Sequence, residues 1–346
     1  MKRSMLLAFL LLTFSAYAAE EPGGKGPQDN PKAAVRIISV ERCPRNPLIT
    51  PASSRSLGPN INGPSVIRVP SWIQCPLGKY YLYFAHHQGR YIRMAYADSI
   101  EGPWKIHEPG TLSLSELPQG WGSHIASPDV HVDEETKVIR MYFHAGFGSG
   151  QQNGTATSTD GIRFKVSETV PGGWYFRVFD YKGVYYGIER HGYLMRSQDP
   201  MGTFELRKAC LMPAEVRDKK RIRQVRHTAV VRKDDLLLVF YSRTGDTPER
   251  ILLSTVQLSD DWTKWVLSKP IEVIQPETDY EGLQFPLRAS SGGVAPKQAR
   301  ELRDPYVFEE DGRYFLFYTI SGEAGIAMAE VTLEMESEQS DGEASS

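Results

Sequence analysis

Short apolar segments separated by turn residues recur along the chain. Residues 64–69, 80–84, 91–97 and 104–107 are apolar or alternate between apolar and polar side chains, with Gly, Pro, Asp and Ser between them. Short segments bounded by such turn residues are typical of antiparallel β-strands. The same order of opening strand, turn and aromatic-rich strand recurs in four later units, which open at Ser127, Phe176, His227 and Asp304.

Five units of four strands predict an all-β fold, a five-bladed β-propeller of four-stranded antiparallel blades. The fifth unit lacks an obvious fourth strand after Glu334, and residues 35–40 are predicted to supply it beside residues 326–331. A β-sandwich is the alternative, but it does not explain the recurring order of strands. Only residues 213–224 and 296–303 have a polar pattern that resembles a helix.

The first 19 residues have the three parts of a secretory signal peptide. Lys2 and Arg3 are basic, residues 5–14 are apolar, and Ala16-Tyr17-Ala18 is a small-x-small cleavage motif. Residues 1–19 are therefore predicted to be a signal peptide, and the protein to be secreted or periplasmic. The apolar run is short for a transmembrane helix, and a mean hydropathy of −0.38 excludes several spans, so no membrane insertion is expected.

Three further segments follow the predicted signal peptide. Residues 20–33 are rich in Gly and Pro and are predicted to be a flexible leader. Residues 34–334 hold all five units and are predicted to form one propeller domain. Residues 335–346 are acidic and rich in Ser, which predicts a disordered tail.

Charge and cysteine content exclude several classes of function. The chain has 40 Lys and Arg against 42 Asp and Glu, a net charge of −2, so it lacks the basic excess of a nucleic-acid-binding protein. Cys43, Cys75 and Cys210 form no CxxC pair and have no zinc-ligand spacing. Export permits a disulfide, with Cys43 and Cys75 nearest in sequence, but buried free thiols are the favoured interpretation. No metal site is predicted.

Polar residues recur at equivalent ends of the predicted strands. In a propeller blade the first strand starts, and the second strand ends, at the same face beside the central axis. Side chains at these ends therefore converge on one mouth, where we predict the functional site. The first strands contribute Asn62, Asp129, Arg226, His227, Arg303 and Asp304, and the second strands contribute His86, His87, His144, Glu189, Arg190, His191 and Arg243.

Four motifs carry a resemblance to a known family. They are GPSV followed by KYYLYFAHH, AYADSIEGPW at 95–104, SPDV at 127–130 and RDPYVFEEDGRYFLFYT at 303–319. With these motifs the sequence resembles the five-bladed β-propeller glycosidases, notably glycoside hydrolase family 43 and its relatives. The resemblance covers roughly residues 45–332.

The resemblance implies a hydrolase with three carboxylates, an Asp base on the first blade, an Asp on the second that tunes the acid, and a Glu acid on the third. The motif SPDV places Asp129 at the second position, and Glu189 is the candidate acid. The chain departs from the family at the first position, where Gly63-Pro64 stands in place of Asp-Pro. Asp304, which also precedes a proline, is our replacement candidate for the base.

Arginines predicted at the mouth suggest the kind of glycan that binds there. Arg190, Arg226, Arg243 and Arg303, with Arg93 nearby in sequence, favour contact with carboxylate, sulfate or phosphate, which predicts a uronic acid or sulfated sugar. The alternative is that Arg303 pairs with Asp304 and that the other arginines cover the surface.

Two more features of the mouth concern aromatic side chains and a cation. Trp121, Trp174 and Tyr175 lie in or near connectors, where they can stack on sugar rings. The resemblance also implies a calcium ion on the central axis near His227. No cluster of carboxylates has calcium-loop spacing, so no cofactor is predicted to be required.

These features together predict an exported, glycoside hydrolase-like protein that cleaves a terminal glycosidic bond of an acidic or sulfated oligo- or polysaccharide. The partner is therefore a carbohydrate. Two alternatives remain open. One is a propeller glycoside phosphorylase, since Arg45-Asn46-Pro47 resembles a motif of those enzymes. The other is a non-catalytic glycan-binding propeller, since the first-blade Asp is missing.

Overall fold

The computed structural model describes residues 30–217, 221–295 and 297–335. The predicted signal peptide lies outside them, as do residues 20–29 of the predicted leader and 336–346 of the predicted tail. Within the described residues the chain forms 21 β-strands, five three-residue 3-10 helices and no α-helix. No helix in this part of the chain is long and apolar enough to cross a membrane.

The strands form five separate antiparallel sheets; four are meanders of consecutive strands, and the fifth is completed by the N-terminal strand. The first blade is β2 (Asn62–Arg68), β3 (Tyr80–Ala85), β4 (Tyr91–Ala97) and β5 (Lys105–Ser113); the second is β6 (Trp121–Asp133), β7 (Val138–Phe147), β8 (Gly150–Ser158) and β9 (Lys165–Val166); the third is β10 (Arg177–Tyr181), β11 (Val184–Ile188), β12 (Leu194–Ser197) and β13 (Glu205–Leu206). The fourth is β14 (Glu215–Arg217), β15 (Arg221–Lys233), β16 (Leu236–Thr244), β17 (Ile251–Gln257) and β18 (Ile271–Ile274); the fifth is β19 (Arg303–Glu310), β20 (Arg313–Ile320), β21 (Gly325–Met335) and β1 (Val35–Arg42). This arrangement confirms the predicted five-bladed β-propeller.

The N-terminal strand closes the ring, as predicted. Strand β1 pairs with β21 in antiparallel register, with Val40 opposite Val331. Val35 and Val331 are buried in the core between the fourth and fifth blades. Just before β1, Ala33 is buried and the Pro31 carbonyl accepts a hydrogen bond from the Lys269 N–H at 2.7 Å. The last residues of the predicted leader therefore pack against the fourth blade.

The fourth blade differs from the sequence-based prediction. The described residues of this range, 213–217 and 221–224, are not helical; β14 and the start of β15 form a hairpin there, which adds a fifth strand. The spacing of Ile222 and Val225, three positions apart, hides this hairpin in the sequence, whereas the pairing of Val216 with Ile222 makes both segments strands. The outer strand is β18, whereas at the predicted position Leu267 forms only an isolated bridge. Residues 297–302 are also non-helical.

Inner strands are buried on both faces because each blade packs between two others. All six side chains of β3 are buried. Leu82 and Phe84 contribute to the core shared with the fifth blade, whereas Tyr81 and Tyr83 contribute to the core shared with the second. This two-sided burial explains the continuous apolar run of the sequence.

All three cysteines are free thiols in the structure. Cys43 is buried, Cys210 is half-buried and Cys75 is exposed. The prediction that the cysteines are buried is therefore wrong for Cys75, which lies in an irregular connector.

Candidate active site

A cavity of about 130 Å³ lies at the mouth of the propeller, where residues from the first four blades meet. It is lined by Asn62, His87, Gln88, His124, Ala126, Ser127, His144, Gln151, Trp174, Tyr175, Arg190 and His227. These residues include four histidines and one arginine but no Asp or Glu. Five of the predicted site residues are thus brought together: Asn62, His87, His144, Arg190 and His227.

Arg190 supplies the permanent positive charge of the cavity wall. Its guanidinium lies over the Trp174 indole, 4.4 Å from the ring centroid, and its Nε has no hydrogen-bond partner among the described residues. No Asp or Glu of the described residues forms an ion pair with it, in contrast to Arg226, Arg243 and Arg303. An Arg that is stacked on an aromatic ring and lacks a protein counter-ion is suited to bind an anion.

Burial lowers the pKa of three of the four lining histidines, His124, His144 and His227, and so favours their uncharged form. Burial, with the nearby His124 and His87, holds the pKa of His144 well below its usual range. Burial also lowers the pKa of His124, whose ring centroid lies 5.3 Å from that of His144. The Nδ1 atom of His144 is buried and has no partner in the described structure. A bound ligand with hydroxyl or acidic oxygens would satisfy such a nitrogen.

His227 forms a pair with Asp304 across the fourth and fifth blades. Its Nδ1 contacts Oδ1 of Asp304, and its ring stacks on Tyr175 with centroids 3.8 Å apart and planes at 13°. The Thr319 hydroxyl donates to the other carboxylate oxygen of Asp304 at 3.2 Å. Burial and the Arg226 charge hold the pKa of His227 well below its usual range. Asp304 does not line the cavity itself; it reaches the cavity through His227.

Glu189 lies directly behind the cavity wall. Its carboxylate accepts a hydrogen bond from the backbone N–H of Trp174 at 3.2 Å, and the next residue, Arg190, lines the cavity. Burial raises the pKa of Glu189 to about 7, so the carboxyl is about half protonated at neutral pH. His191 lies nearby with its ring 5.9 Å from that of Trp174. Neither Glu189 nor His191 lines the cavity.

The carboxylate of Asp129 does not line the cavity. Its carboxylate accepts from the Val178 N–H and contacts Nε2 of His131, both at 2.9 Å, with Arg177 at 3.9 Å. The side chain is therefore held between the second and third blades, away from the cavity lining.

A β-bulge explains the position of Asp129. In each of the strands β2, β6 and β19 a bulge inserts one extra residue around a proline, and the residue before that proline has a positive φ: Gly63, Ser127 and Asp304. The structural equivalent of Gly63 and Asp304 in the second blade is therefore Ser127. A bulge re-aims side chains in this way, and Ser127 lines the cavity in place of an acid.

Arg226, Arg243 and Arg303 form ion pairs inside the protein and do not line the cavity. Their nitrogens donate to Glu249 at 2.8 Å, Glu215 at 2.7 Å and Glu323 at 3.0 Å, respectively.

Two other predicted positions also lie outside the cavity lining. The His86 Nδ1 accepts from the backbone N–H of Gln88 at 3.0 Å. Arg93 donates to backbone carbonyls, among them that of Asn60 at 2.8 Å.

Sequence reasoning missed His124, Gln88 and Gln151. His124 precedes the predicted opening of the second unit, because β6 begins at Trp121 rather than near Ser127. Gln151 lies at the start of a third strand, a position that was not predicted to face the mouth. Amide and imidazole groups can donate to and accept from sugar hydroxyls.

The residues on the central axis do not suit a calcium ion. The buried Arg177 guanidinium lies there and donates to the carbonyls of Pro128 at 3.0 Å and Thr228 at 3.1 Å, with the Tyr306 ring 6.0 Å away. Calcium needs several oxygen ligands, carboxylates above all. A guanidinium among these carbonyls excludes a second cation by charge and by volume. No group of three or more His, Cys, Asp and Glu in the described ranges could hold a metal.

Comparison with known proteins identifies a relative by its sequence and similar solved structures by their fold. No protein-family model matches the chain. It is 37% identical over 295 residues to the uncharacterized protein R118 of Acanthamoeba polyphaga mimivirus, a match that covers 78% of this chain and 83% of that protein.

Among solved structures, the chain is similar to the α-L-arabinofuranosidase of Lactobacillus brevis (TM-score 0.57, 13% identity, 83% of this chain and 92% of that chain). It is also similar to the GH43_1 enzyme of Xanthomonas citri (TM-score 0.57, 15% identity, 89% and 97%) and to a glycosyl hydrolase of Bacteroides ovatus (TM-score 0.58, 11% identity, 85% and 94%). At such identities the likeness shows the fold. The chain thus belongs to the same family as the uncharacterized protein R118 of Acanthamoeba polyphaga mimivirus, and its fold is the five-bladed β-propeller of the family 43 glycoside hydrolases.

Proposed function

We propose that the protein is an exported, glycoside hydrolase-like enzyme that binds the terminal residue of an acidic or sulfated glycan and cleaves its glycosidic bond. The single observation that carries this proposal is the cavity at the mouth, with the Arg190–Trp174 stack in its wall. Export rests on the signal peptide expected at residues 1–19, which would deliver the protein to a secreted or periplasmic location.

The size of the cavity supports recognition of a chain end. Its volume of about 130 Å³ is below the roughly 300 Å³ at which sites for drug-sized ligands begin. A cavity this small holds one sugar ring or part of one, whereas an internal stretch of a polysaccharide needs an open groove. Trp174 supplies an aromatic face, and Asn62 and Gln151 supply amide groups for hydroxyls.

The charge of the cavity supports an acidic or sulfated sugar. Arg190 lines the cavity, whereas none of the residues that line it is acidic. Buried neutral histidines beside it can each take up a proton when an anion binds. The proposal for an anionic glycan now rests on Arg190 alone, because Arg226, Arg243 and Arg303 are occupied by carboxylates.

Glu189 is the proposed general acid. A carboxyl with a pKa of about 7 keeps a proton that it can donate to the leaving oxygen near neutral pH. Asp129 has no part in this proposal, because its carboxylate is held by Val178 and His131.

Non-catalytic glycan binding is the second candidate function. It is favoured by the absence of Asp and Glu from the residues that line the cavity. A phosphorylase has no comparable support, because the Asn46 side chain binds both backbone groups of Met328 and so fastens β21 rather than facing the cavity.

We expect Arg190→Gln to lower the affinity for an acidic sugar about 10- to 100-fold, the cost of losing a charged hydrogen-bonding partner. Binding of D-glucuronate, N-acetylglucosamine 6-sulfate and neutral D-glucose is to be measured by titration calorimetry. Arg163→Gln is the matched control, because the Arg163 side chain is 91% exposed. Equal affinities for neutral and acidic sugars, or no change in Arg190→Gln, would contradict the acidic specificity.

We expect the rate of cleavage to fall as the pH rises through about 7, because Glu189 must be protonated to act as the acid.

Glu189→Gln should lower kcat about 10²- to 10⁴-fold on methyl glycosides and far less on 4-nitrophenyl glycosides, whose leaving group needs no proton. The panel comprises glucuronides, 6-sulfated N-acetylglucosaminides, xylosides and arabinofuranosides. Glu168→Gln, at an exposed position, is the control. Loss of both substrate types to the same degree would contradict the acid role.

A further inference from the structure

The pairing of His227 with Asp304 places one ring nitrogen against a carboxylate and leaves the other for the cavity. Asp304 is 1% exposed, and its Oδ1 contacts Nδ1 of His227 while its Oδ2 accepts from Thr319. A buried carboxylate in this position holds the imidazole as the Nδ1–H tautomer. The lone pair is then on Nε2.

Stacking fixes the plane of the imidazole. The Tyr175 ring lies 3.8 Å from the His227 ring at an interplanar angle of 13°, and both residues line the cavity. Tyr175 is itself buried, and the Arg177 guanidinium lies 5.5 Å from its ring centroid. The imidazole therefore has a partner at its edge and a partner on its face, which together define the direction of Nε2.

We infer that His227 is the proton acceptor of the site and that Asp304 is its positioning residue. This inference rests on the proposed glycosidase function. The inference supplies a base in a chain that lacks the first-blade Asp of the family pattern. At the bulge positions of the mouth, the first and second blades carry Gly63 and Ser127, whereas the fifth blade carries Asp304. The carboxylate retained in the fifth blade acts through an imidazole instead of directly.

The step balances with water as the second reactant. A water molecule in the cavity gives one proton to Nε2 of His227 while its oxygen forms a bond to the anomeric carbon. The bond between that carbon and the glycosidic oxygen breaks, and its electron pair stays on the leaving oxygen, which takes the proton of Glu189. His227 then releases its proton to solvent and Glu189 takes one up.

The charges around His227 favour the neutral imidazole that a base requires. Arg226 adjoins it in the chain, and Arg190, Arg177 and His87 face it from the third and first blades; all of them oppose a positive charge on its ring. Asp304 is the acidic group in contact with it. Once the imidazole gains a proton, this carboxylate is the counter-ion that stabilises it.

The first test is the tautomer of His227, read from ¹⁵N imidazole spectra of the labelled full-length protein at neutral pH. We expect Nδ1 protonated and Nε2 unprotonated, with Asp304→Asn shifting the ring towards the opposite tautomer. The spectrum of His227→Gln identifies the signal. An Nε2–H tautomer in the unmodified protein would overturn the inference, whatever the protein cleaves.

The second test is kinetic and uses the methyl and 4-nitrophenyl glycosides of the panel above. His227→Gln and Asp304→Asn should each lower kcat about 10²- to 10⁴-fold and should do so equally for the two leaving groups. Such equal loss distinguishes a base from the acid Glu189. His107→Gln, on the outer strand of the first blade, is the matched control, and thermal unfolding shows that each variant is folded.

The outcomes separate the inference from the function on which it rests. A protein that cleaves none of the panel, although it binds glucuronate, overturns both the proposed hydrolysis and the base. A protein that cleaves a glycoside with unchanged kcat in His227→Gln overturns the base alone. A loss confined to the methyl glycosides would assign His227 as an acid and would also overturn the inference.

Discussion

A chain that begins at Cys43, and so lacks β1, is expected to lose its cooperative thermal transition. Strand β1 supplies the fourth strand of the fifth blade and pairs with β21 from Val35 to Arg42. Its removal bares the hydrogen-bonding edge of β21 and uncovers the core that Val35, Ile37 and Val40 cover. Burial of an aliphatic side chain contributes roughly 1.5–3 kcal/mol. Val35 is buried whereas Ile37 and Val40 are partly buried, so the three losses amount to about 3–5 kcal/mol, a large part of the roughly 5–15 kcal/mol that stabilises a typical domain.

Circular dichroism melts measure this effect, and a chain that begins at Asn30 is the matched control. The control should melt as the full chain does, because it keeps β1 and the contact of Pro31 with Lys269. A synthetic peptide of residues 34–42, added to the chain that begins at Cys43, should restore the transition in proportion to its concentration. An unchanged melting temperature without the peptide would show that ring closure does not depend on β1.

Replacement of Arg303 by Met is expected to destabilise the fold by about 3–5 kcal/mol, the usual cost of removing one partner from a buried ion pair. The Arg303 side chain is 3% exposed and contacts Glu301, Glu323 at 3.0 Å and Glu249 at 3.6 Å. Glu249 would keep its ion pair with Arg226, but Glu301 and Glu323 would lose their ion pairs with Arg303. The loss comes from carboxylates left buried without a counter-ion.

Urea unfolding at two pH values tests this explanation. In the unmodified protein His87, Arg303 and Asn60 hold the pKa of Glu323 at about 2, so its contribution is present above pH 4.5 and disappears as the pH falls towards 2. Without Arg303 this pKa rises, so the variant should recover part of its lost stability between pH 7 and pH 5. Arg313→Met, which removes an exposed pair with Glu330, should cost only about 0–1 kcal/mol. A loss in Arg303→Met that does not change with pH would indicate a packing defect instead.

The sequence by itself determined the blades, their order and the closure of the ring. Each strand and turn is encoded within a few neighbouring residues, by alternation, aromatic content and Gly or Asp at the turns, so tyrosine-rich β3 and the N-terminal β1 were both predictable. The hairpin of β14 and β15 is the exception, because Ile222 and Val225 lie three positions apart, which is not the spacing of a strand.

The membership of the candidate site was predictable only in part. Counting along the motif placed Asp129 at the mouth, but one extra residue in the bulge of β6 puts Ser127 there instead. A one-residue shift of this kind changes which side chain faces the cavity. The SPDV motif does not indicate that the strand has a bulge at this point.

Only the tertiary structure decided which charged residues are free to act. Arg190 and Arg303 look equivalent in the sequence, yet Arg303 is neutralised by the neighbouring Glu301 and by Glu249 and Glu323 from other segments, whereas Arg190 lines the cavity. Asp304 and His227 belong to different blades and meet because the ring brings their inner strands together. Strand formation depends on neighbouring residues in the sequence. Whether a charged side chain is paired depends instead on the groups that the whole fold places within a few ångströms of it.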